Sequence, residues 1–325
     1  MKDLGVLVPL VTPCKPDGQV DTDGLKSLCR HLAHAGCHSF FVGGSTGRGP
    51  WFSRPERKRI CRAVVQARSP GVTVCAGCMA LGLPDMLENA RAMADAGADL
   101  AVLTAPGYFQ YSPDEIEAIF LKFADASPLP LIVYDIPAFA GARLDAQMVC
   151  RLAAHPKVVG FKDSSGDMSS FRRLADALGA RDAFYLLQGK EHLLVESLSC
   201  GASGFVVSLV HMAPHLFVDL FRAARAGSVE QARCLQARIT VLYQWVCSCL
   251  ERRAGTSTLF HILNVAVREQ GLCDNILLDH EGATPDWLRR ETIDVLQSVR
   301  TGSECAGPTP QGTFAAPCHG ARGHG

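Results

Sequence analysis

Lysine is scarce in this chain, with 8 residues against 24 arginines. One of them, Lys162, ends the apolar run VVGF and is followed by DSSGD. An amine buried there bears a desolvation penalty on its charged form, so its pKa is expected below the usual value of about 10.4. A neutral amine attacks carbonyl carbon and forms a Schiff base. The competing reading is an inert ion pair with Asp135 or Asp163. Tyr134 ends the apolar run LIV. Its phenol can relay protons while a carbinolamine forms and collapses, or its ring can simply fill the interior. Ser45 and Thr46 lie in a turn reading GGSTG. Two hydroxyls and free backbone amides there can cradle a small anion such as a carboxylate, although most glycine-rich turns only solve a backbone problem.

These residues need a scaffold that brings several strand ends together. Short apolar runs fall at 5–12, 39–43, 72–77, 99–104, 131–136, 158–163, 184–188 and 203–209. Amphipathic segments follow them at 22–35, 54–66, 84–96, 113–126, 145–154, 169–178, 191–200 and 214–226. Continuous Val, Ile, Leu and Phe runs suit parallel strands covered on both faces. Gly36, Gly97 and Gly201 sit where a helix hands over to the next strand, and Pro84, Pro113 and Pro214 sit where helices start. The expected fold class is therefore α/β, a (β/α)8 TIM barrel over residues 1–227 that carries the catalytic site. A doubly wound open sheet would show a glycine-rich dinucleotide loop after its first strand, and that position reads TPCKPDG. The alternation stops after residue 227. Segments 229–250, 257–270 and 285–299 predict a C-terminal three-helix appendage within 228–300. Residues 301–325, rich in Gly, Pro and Ala, read as a disordered tail. Barrel sites lie at the C-terminal strand ends, which is where Lys162, Tyr134, Ser45 and Thr46 all fall.

Composition narrows the class further. The chain has 325 residues, 48% hydrophobic and 20% charged, with 32 basic and 32 acidic side chains. Charge balance does not favour a polyanion, so no nucleic-acid partner is expected. No apolar stretch approaches the roughly 18–20 residues of a membrane span, and no secretory signal is read at the start. The 14 cysteines are scattered through apolar segments as small core residues, which fits a cytoplasmic protein.

Three segments in order, GGSTGRGP (43–50), YDIP (134–137) and GFKDSSGD (160–167), resemble the pyruvate-dependent class I aldolases. That family contains N-acetylneuraminate lyase, dihydrodipicolinate synthase and 2-keto-3-deoxygluconate aldolase. The likeness runs from about residue 4 to 295. It implies a Schiff-base aldolase or lyase acting on pyruvate and a 2-oxo acid, with no metal and no organic cofactor. It implies Lys162 as the Schiff-base lysine, Tyr134 as proton relay, and Ser45 and Thr46 as the carboxylate holders. Tyr108 resembles the tyrosine that reaches a neighbouring subunit's site, so the resemblance also implies a homo-oligomer, a dimer or tetramer. Gly189, Val206, Ser208, Ser164 and Glu191 fall on positions that line the substrate.

Four departures shape the substrate reading. Phe139 stands where dihydrodipicolinate synthase has an arginine for its second substrate's carboxylate. Glu191 and His192 stand where sialic-acid lyase has an Asp-Glu pair. Arg48 replaces a frequent glutamate, and His211 replaces an asparagine. The run STGRGP is closest in look to the sugar-acid branch, so a 2-keto-3-deoxy sugar acid is the preferred substrate. Dihydrodipicolinate synthase and N-acetylneuraminate lyase activities are the alternatives. Arg48, Lys190, Glu191, His192 and His211 are expected around the substrate's variable part, unless Arg48 and Lys190 face solvent or an interface. Two further classes stay open: a non-catalytic oxo-acid-binding barrel, and a metal-dependent aldolase using His211 and His215. Cys75 and Cys78 form a CxxC outside any redox context and read as core thiols. Cys318, His319 and His324 match no zinc spacing.

Overall fold

In the computed structural model, residues 4–15, 17–179 and 184–301 are described. The expected tail, with Cys318, His319 and His324, lies outside them apart from residue 301. Eight parallel strands close into a barrel in sequence order. They are β1 (Gly5–Pro9), β2 (Ser39–Val42), β3 (Thr73–Gly77), β4 (Leu100–Thr104), β5 (Leu131–Asp135), β6 (Val158–Asp163), β7 (Tyr185–Gln188) and β8 (Gly204–Phe205). The chain folds as the (β/α)8 barrel that the alternating pattern predicts.

Helices α1 (Thr22–His34), α2 (Arg54–Ala67), α3 (Leu83–Asp95) and α4 (Pro113–Ala126) separate the first five strands. The short α5 (Pro137–Ala140) and α6 (Ala146–Ala153) follow β5; α7 (Met168–Leu178), α8 (Leu194–Ser199) and α9 (Pro214–Arg225) follow β6, β7 and β8. Their starts are written in local chemistry. Asp21, Asp145 and Asp167 accept backbone N–H groups as N-caps, and Ser112 with Glu115 forms a capping box on α4. Gly36, Gly97 and Gly201 adopt φ of 96°, 94° and 95°, the left-handed geometry expected at those helix exits.

Two strands, β1 and β8, fall short of their apolar runs by three residues or more. Past Pro9 the Leu10 amide still donates to the Phe41 carbonyl at 2.9 Å, and Val11 then turns its amide to His211 Nε2 at 3.3 Å. After Phe205, the chain enters a 3-10 turn at Ser208–His211. There the Ser208 and Leu209 amides donate to the Glu191 carboxylate at 3.2 and 3.4 Å.

Three helices follow: α10 (Val229–Arg252), α11 (Ser257–Glu269) and α12 (Asp286–Thr301). Their segment is tied to the barrel rim. Gln236 donates to the Glu191 carbonyl at 3.0 Å, Gln270 to the His211 carbonyl at 2.8 Å, and the Cys14 amide to the Asn275 carbonyl at 2.8 Å.

Candidate active site

Strand register decides which side chains meet. Tyr134 on β5 pairs with Lys162 on β6, and Asp135 with Asp163. Side chains alternate across a strand, so these are two facing pairs on opposite sides of the barrel wall. Lys162 is only 4% exposed and Tyr134 is buried. The Lys162 Nζ sits 3.8 Å from the centre of the Tyr134 ring and 5.3 Å from that of Phe41 on β2. Phe41 also meets Tyr134 edge-on, with ring centres 6.4 Å apart.

Neither carboxylate forms a salt bridge with Lys162 among the described residues. Asp135 Oδ1 accepts the Leu144 amide at 3.3 Å, and Asp163 Oδ1 accepts the Ser165 amide at 2.6 Å. Burial pushes Asp135 up to about 7, with the Asp163 charge adding to it. Burial raises Asp163 as well, against its hydrogen bonds to Ser165. The ion-pair reading of Lys162 therefore finds no partner in either aspartate.

The phenol of Tyr134 is held in a polar cluster. Burial alone would raise its pKa, but the Lys162 charge and hydrogen bonds with Ser164, Ser45 and Lys162 together bring it below the ordinary tyrosine value. The Ser164 hydroxyl lies 3.5 Å from the Tyr134 oxygen. Gly189 makes that placement feasible: a Cβ there would come within 2.0 Å of Ser164 Oγ. The Gly189 amide donates to the Asp163 carbonyl at 2.7 Å, locking the end of β7 against that of β6.

Ser45 and Thr46 are half-buried in the turn after β2. Thr12 braces this turn by donating to the Gly47 carbonyl at 2.8 Å. Val206 is buried after β8, its amide donating to the Gln188 carbonyl at 2.7 Å. Glu191 is buried, and its Oε1 also accepts the Ser208 hydroxyl at 3.1 Å. It positions Ser208 as well as lining the rim. Tyr108 stands apart from this cluster, 71% exposed and edge-on to Phe109.

Other expected rim residues are redirected. His211 is buried; its Nδ1 lies 2.8 Å from the Ser208 carbonyl and its Nε2 accepts from Val11. Burial holds its pKa down at about 4. Both ring nitrogens are engaged by backbone, so His211 is a strut between β1 and the turn after β8 rather than a substrate contact or a metal ligand. His192 stacks on Tyr243 of α10, ring centres 4.6 Å apart. The Lys190 stem lies against Gly166. Cys75 and Cys78 are buried, and burial pushes the Cys78 thiol up to about 12, as core thiols should be.

Arg48 departs most from expectation. Among the described residues it is the one non-glycine with positive φ, 52°. It points neither to solvent nor toward Lys190. Nη1 contacts Glu281 at 2.9 Å and the Ile276 carbonyl at 2.9 Å, while the guanidinium carbon lies 3.8 Å over the Phe260 ring. Phe41, Phe260 and Glu281 were not singled out from sequence. Phe41 looks like any strand core residue, and the other two lie beyond the eight-unit repeat.

The dihydrodipicolinate synthetase family model matches residues 2–272. A 4-hydroxy-tetrahydrodipicolinate synthase of Mycolicibacterium paratuberculosis is 29% identical, over 89% of this chain and 93% of that one. A second from Streptomyces coelicolor is 33% identical, over 73% and 77%. Among solved structures, a prophage protein of the dihydrodipicolinic acid synthase family from E. coli, in complex with pyruvate, superposes with TM-score 0.84 at 25% identity, covering 91% of this chain and 98% of that one. The chloride-inhibited dihydrodipicolinate synthase from Acinetobacter baumannii, also complexed with pyruvate, gives 0.82 at 26%, covering 92% and 99%.

Proposed function

The chain belongs to the dihydrodipicolinate synthetase family, carbon–carbon lyases of the class I aldolase type, and from that premise we propose that Lys162 captures pyruvate as an imine and makes or breaks a bond to its methyl carbon. The observation that carries this reading is the buried Lys162 amine packed on Tyr134, whose phenolic oxygen lies 3.5 Å from the Ser164 hydroxyl. Pyruvate in the two similar structures supports the choice of oxo acid.

The Lys162 amine attacks the C2 carbonyl of pyruvate, and a proton passes from the nitrogen to the new alkoxide by way of Tyr134. The carbinolamine loses water to leave a protonated imine, which withdraws electrons from the methyl carbon. Loss of a methyl proton gives the enamine. Its carbon attacks an aldehyde carbonyl, forming the new bond; the resulting alkoxide takes up a proton, and water then hydrolyses the imine to free Lys162. Cleavage is the reverse sequence. Tyr134 moves the protons at nitrogen and oxygen, and Ser45 and Thr46 hold the carboxylate so that C2 faces the amine. Ser164, Gly189, Val206 and the Glu191–Ser208 pair line the reacting chain. Tyr108 serves from an adjoining copy in a cytoplasmic homo-oligomer.

The preferred substrate is a 2-keto-3-deoxy sugar acid. Phe139, 57% exposed on α5, offers no guanidinium for a second carboxylate. The named relatives favour a second reading, synthesis of 4-hydroxy-tetrahydrodipicolinate from aspartate semialdehyde. A panel separates them. Pyruvate release from 2-keto-3-deoxy acids, with neither sialic acid cleavage nor pyruvate consumption with aspartate semialdehyde, is the expected pattern. Consumption with the semialdehyde alone would establish the second reading instead.

A further inference from the structure

Ser45 belongs to two neighbourhoods. On one side it follows β2, whose Phe41 meets the Tyr134 ring edge-on and has its ring centre 5.3 Å from the Lys162 Nζ. On the other it lines a cavity of about 310 Å3 between the turn after β2 and the C-terminal segment. Lys162 and Tyr134 are not among that cavity's walls, so Ser45 is the link between the reacting centre and this space. Arg48, Ser257, Phe260 and Glu281 form its inner walls, with Trp51 and His280 at its mouth.

The walls are built at a cost. Arg48 holds a left-handed backbone that a side chain rarely adopts. Its side chain is 10% exposed and that of Glu281 5%, so the ion pair is largely withdrawn from water. Nη1 is shared between Glu281 and the Ile276 carbonyl, while Nη2 is buried and finds no acceptor among the described residues. Strain and an unpaired donor in one residue beside a cavity mark a place made for something beyond packing.

We propose that this cavity receives the part of the substrate beyond the oxo acid, and that the Arg48–Glu281 pair selects an uncharged polyhydroxylated chain over a carboxylate-bearing one. The inference rests on the imine reading of Lys162. Glu281 already neutralises Arg48, so an incoming carboxylate gains no free cation and meets a carboxylate in place. Hydroxyl groups suit the same wall, donating to Glu281 and accepting from Arg48, with Ser257 able to do either. Trp51, 61% exposed and stacked on His280 at 4.5 Å between ring centres, forms a flat apolar rim for the chain's C–H faces.

The test pairs pyruvate with D-glyceraldehyde or with succinic semialdehyde and compares kcat/KM for wild type, Glu281→Gln and Trp51→Ala. Wild type should prefer glyceraldehyde. Glu281→Gln, which leaves Arg48 unneutralised, should shift the preference at least about tenfold toward succinic semialdehyde, the effect of one charged hydrogen bond. Trp51→Ala, at an exposed position whose loss spares the core, should raise the KM for glyceraldehyde while the borohydride-trapped pyruvate adduct still forms. A wild type that prefers succinic semialdehyde or uses neither aldehyde overturns the inference. So does unchanged preference in Glu281→Gln together with an unchanged KM in Trp51→Ala. Absence of the pyruvate adduct in wild type instead removes the premise, a failure visible in the mass spectrum before any aldehyde is added.

Discussion

Tyr134 is pulled two ways: burial works against an ionised phenol, while the Lys162 charge and the neighbouring polar groups of Ser164 and Ser45 work for it, and the second group prevails. The proposed mechanism has this phenol exchange protons with the nitrogen beside it. Tyr134→Phe keeps the ring under Lys162 and removes only the oxygen. It should lower kcat by about 10²–10⁴, the usual range for a positioned acid–base group, with a much smaller change in the KM for pyruvate. Steady-state kinetics check this, and an unchanged kcat would take the proton relay away from Tyr134. Lys162 and Tyr134 were legible in the sequence because each is a polar interruption at the end of an apolar run. Phe41 was not, since an aromatic in a buried strand looks the same whether it packs on leucine or on a buried amine. Arg48 was visible as a departure, but its direction depends on Glu281 and Phe260, far along the chain.

The ends of β5 and β6 work as a pair of faces. Tyr134 and Lys162 occupy one, and Asp135 and Asp163 the other. Asp135 titrates near 7, first through burial and then through the Asp163 charge. A carboxyl whose folded pKa is raised binds more protons folded than unfolded between its ordinary value of about 3.9 and about 7, so it lowers stability as pH climbs through that window and no further above it. Asp135→Asn cannot ionise and should lose less melting temperature than wild type between pH 5 and pH 8. Parallel losses in thermal unfolding across that range would contradict the raised carboxyl. Strand positions were legible from apolar runs, and β6 matched its run at both ends. The short β8 was not, because its ladder ends where Ser208 and Leu209 find the Glu191 carboxylate, a choice set by tertiary contact rather than by residue preference.

Across the whole molecule, a repeat of eight strand–helix units made the barrel readable, and its loss after residue 227 made the C-terminal helices readable as helices. Where those helices sit could not be read, since an amphipathic face states that it packs but not on what. The structure sets their segment on the rim of the barrel, through Gln236 to Glu191, Gln270 to His211 and Glu281 to Arg48. The barrel thus presents the amine while residues beyond it shape the cavity next to Ser45. The most direct test of this account is borohydride reduction of the full-length protein with pyruvate, followed by intact mass and peptide mapping. One pyruvate-derived adduct on Lys162, absent from Lys162→Ala, is the predicted result. No adduct in wild type, or an undiminished one in Lys162→Ala, would contradict it.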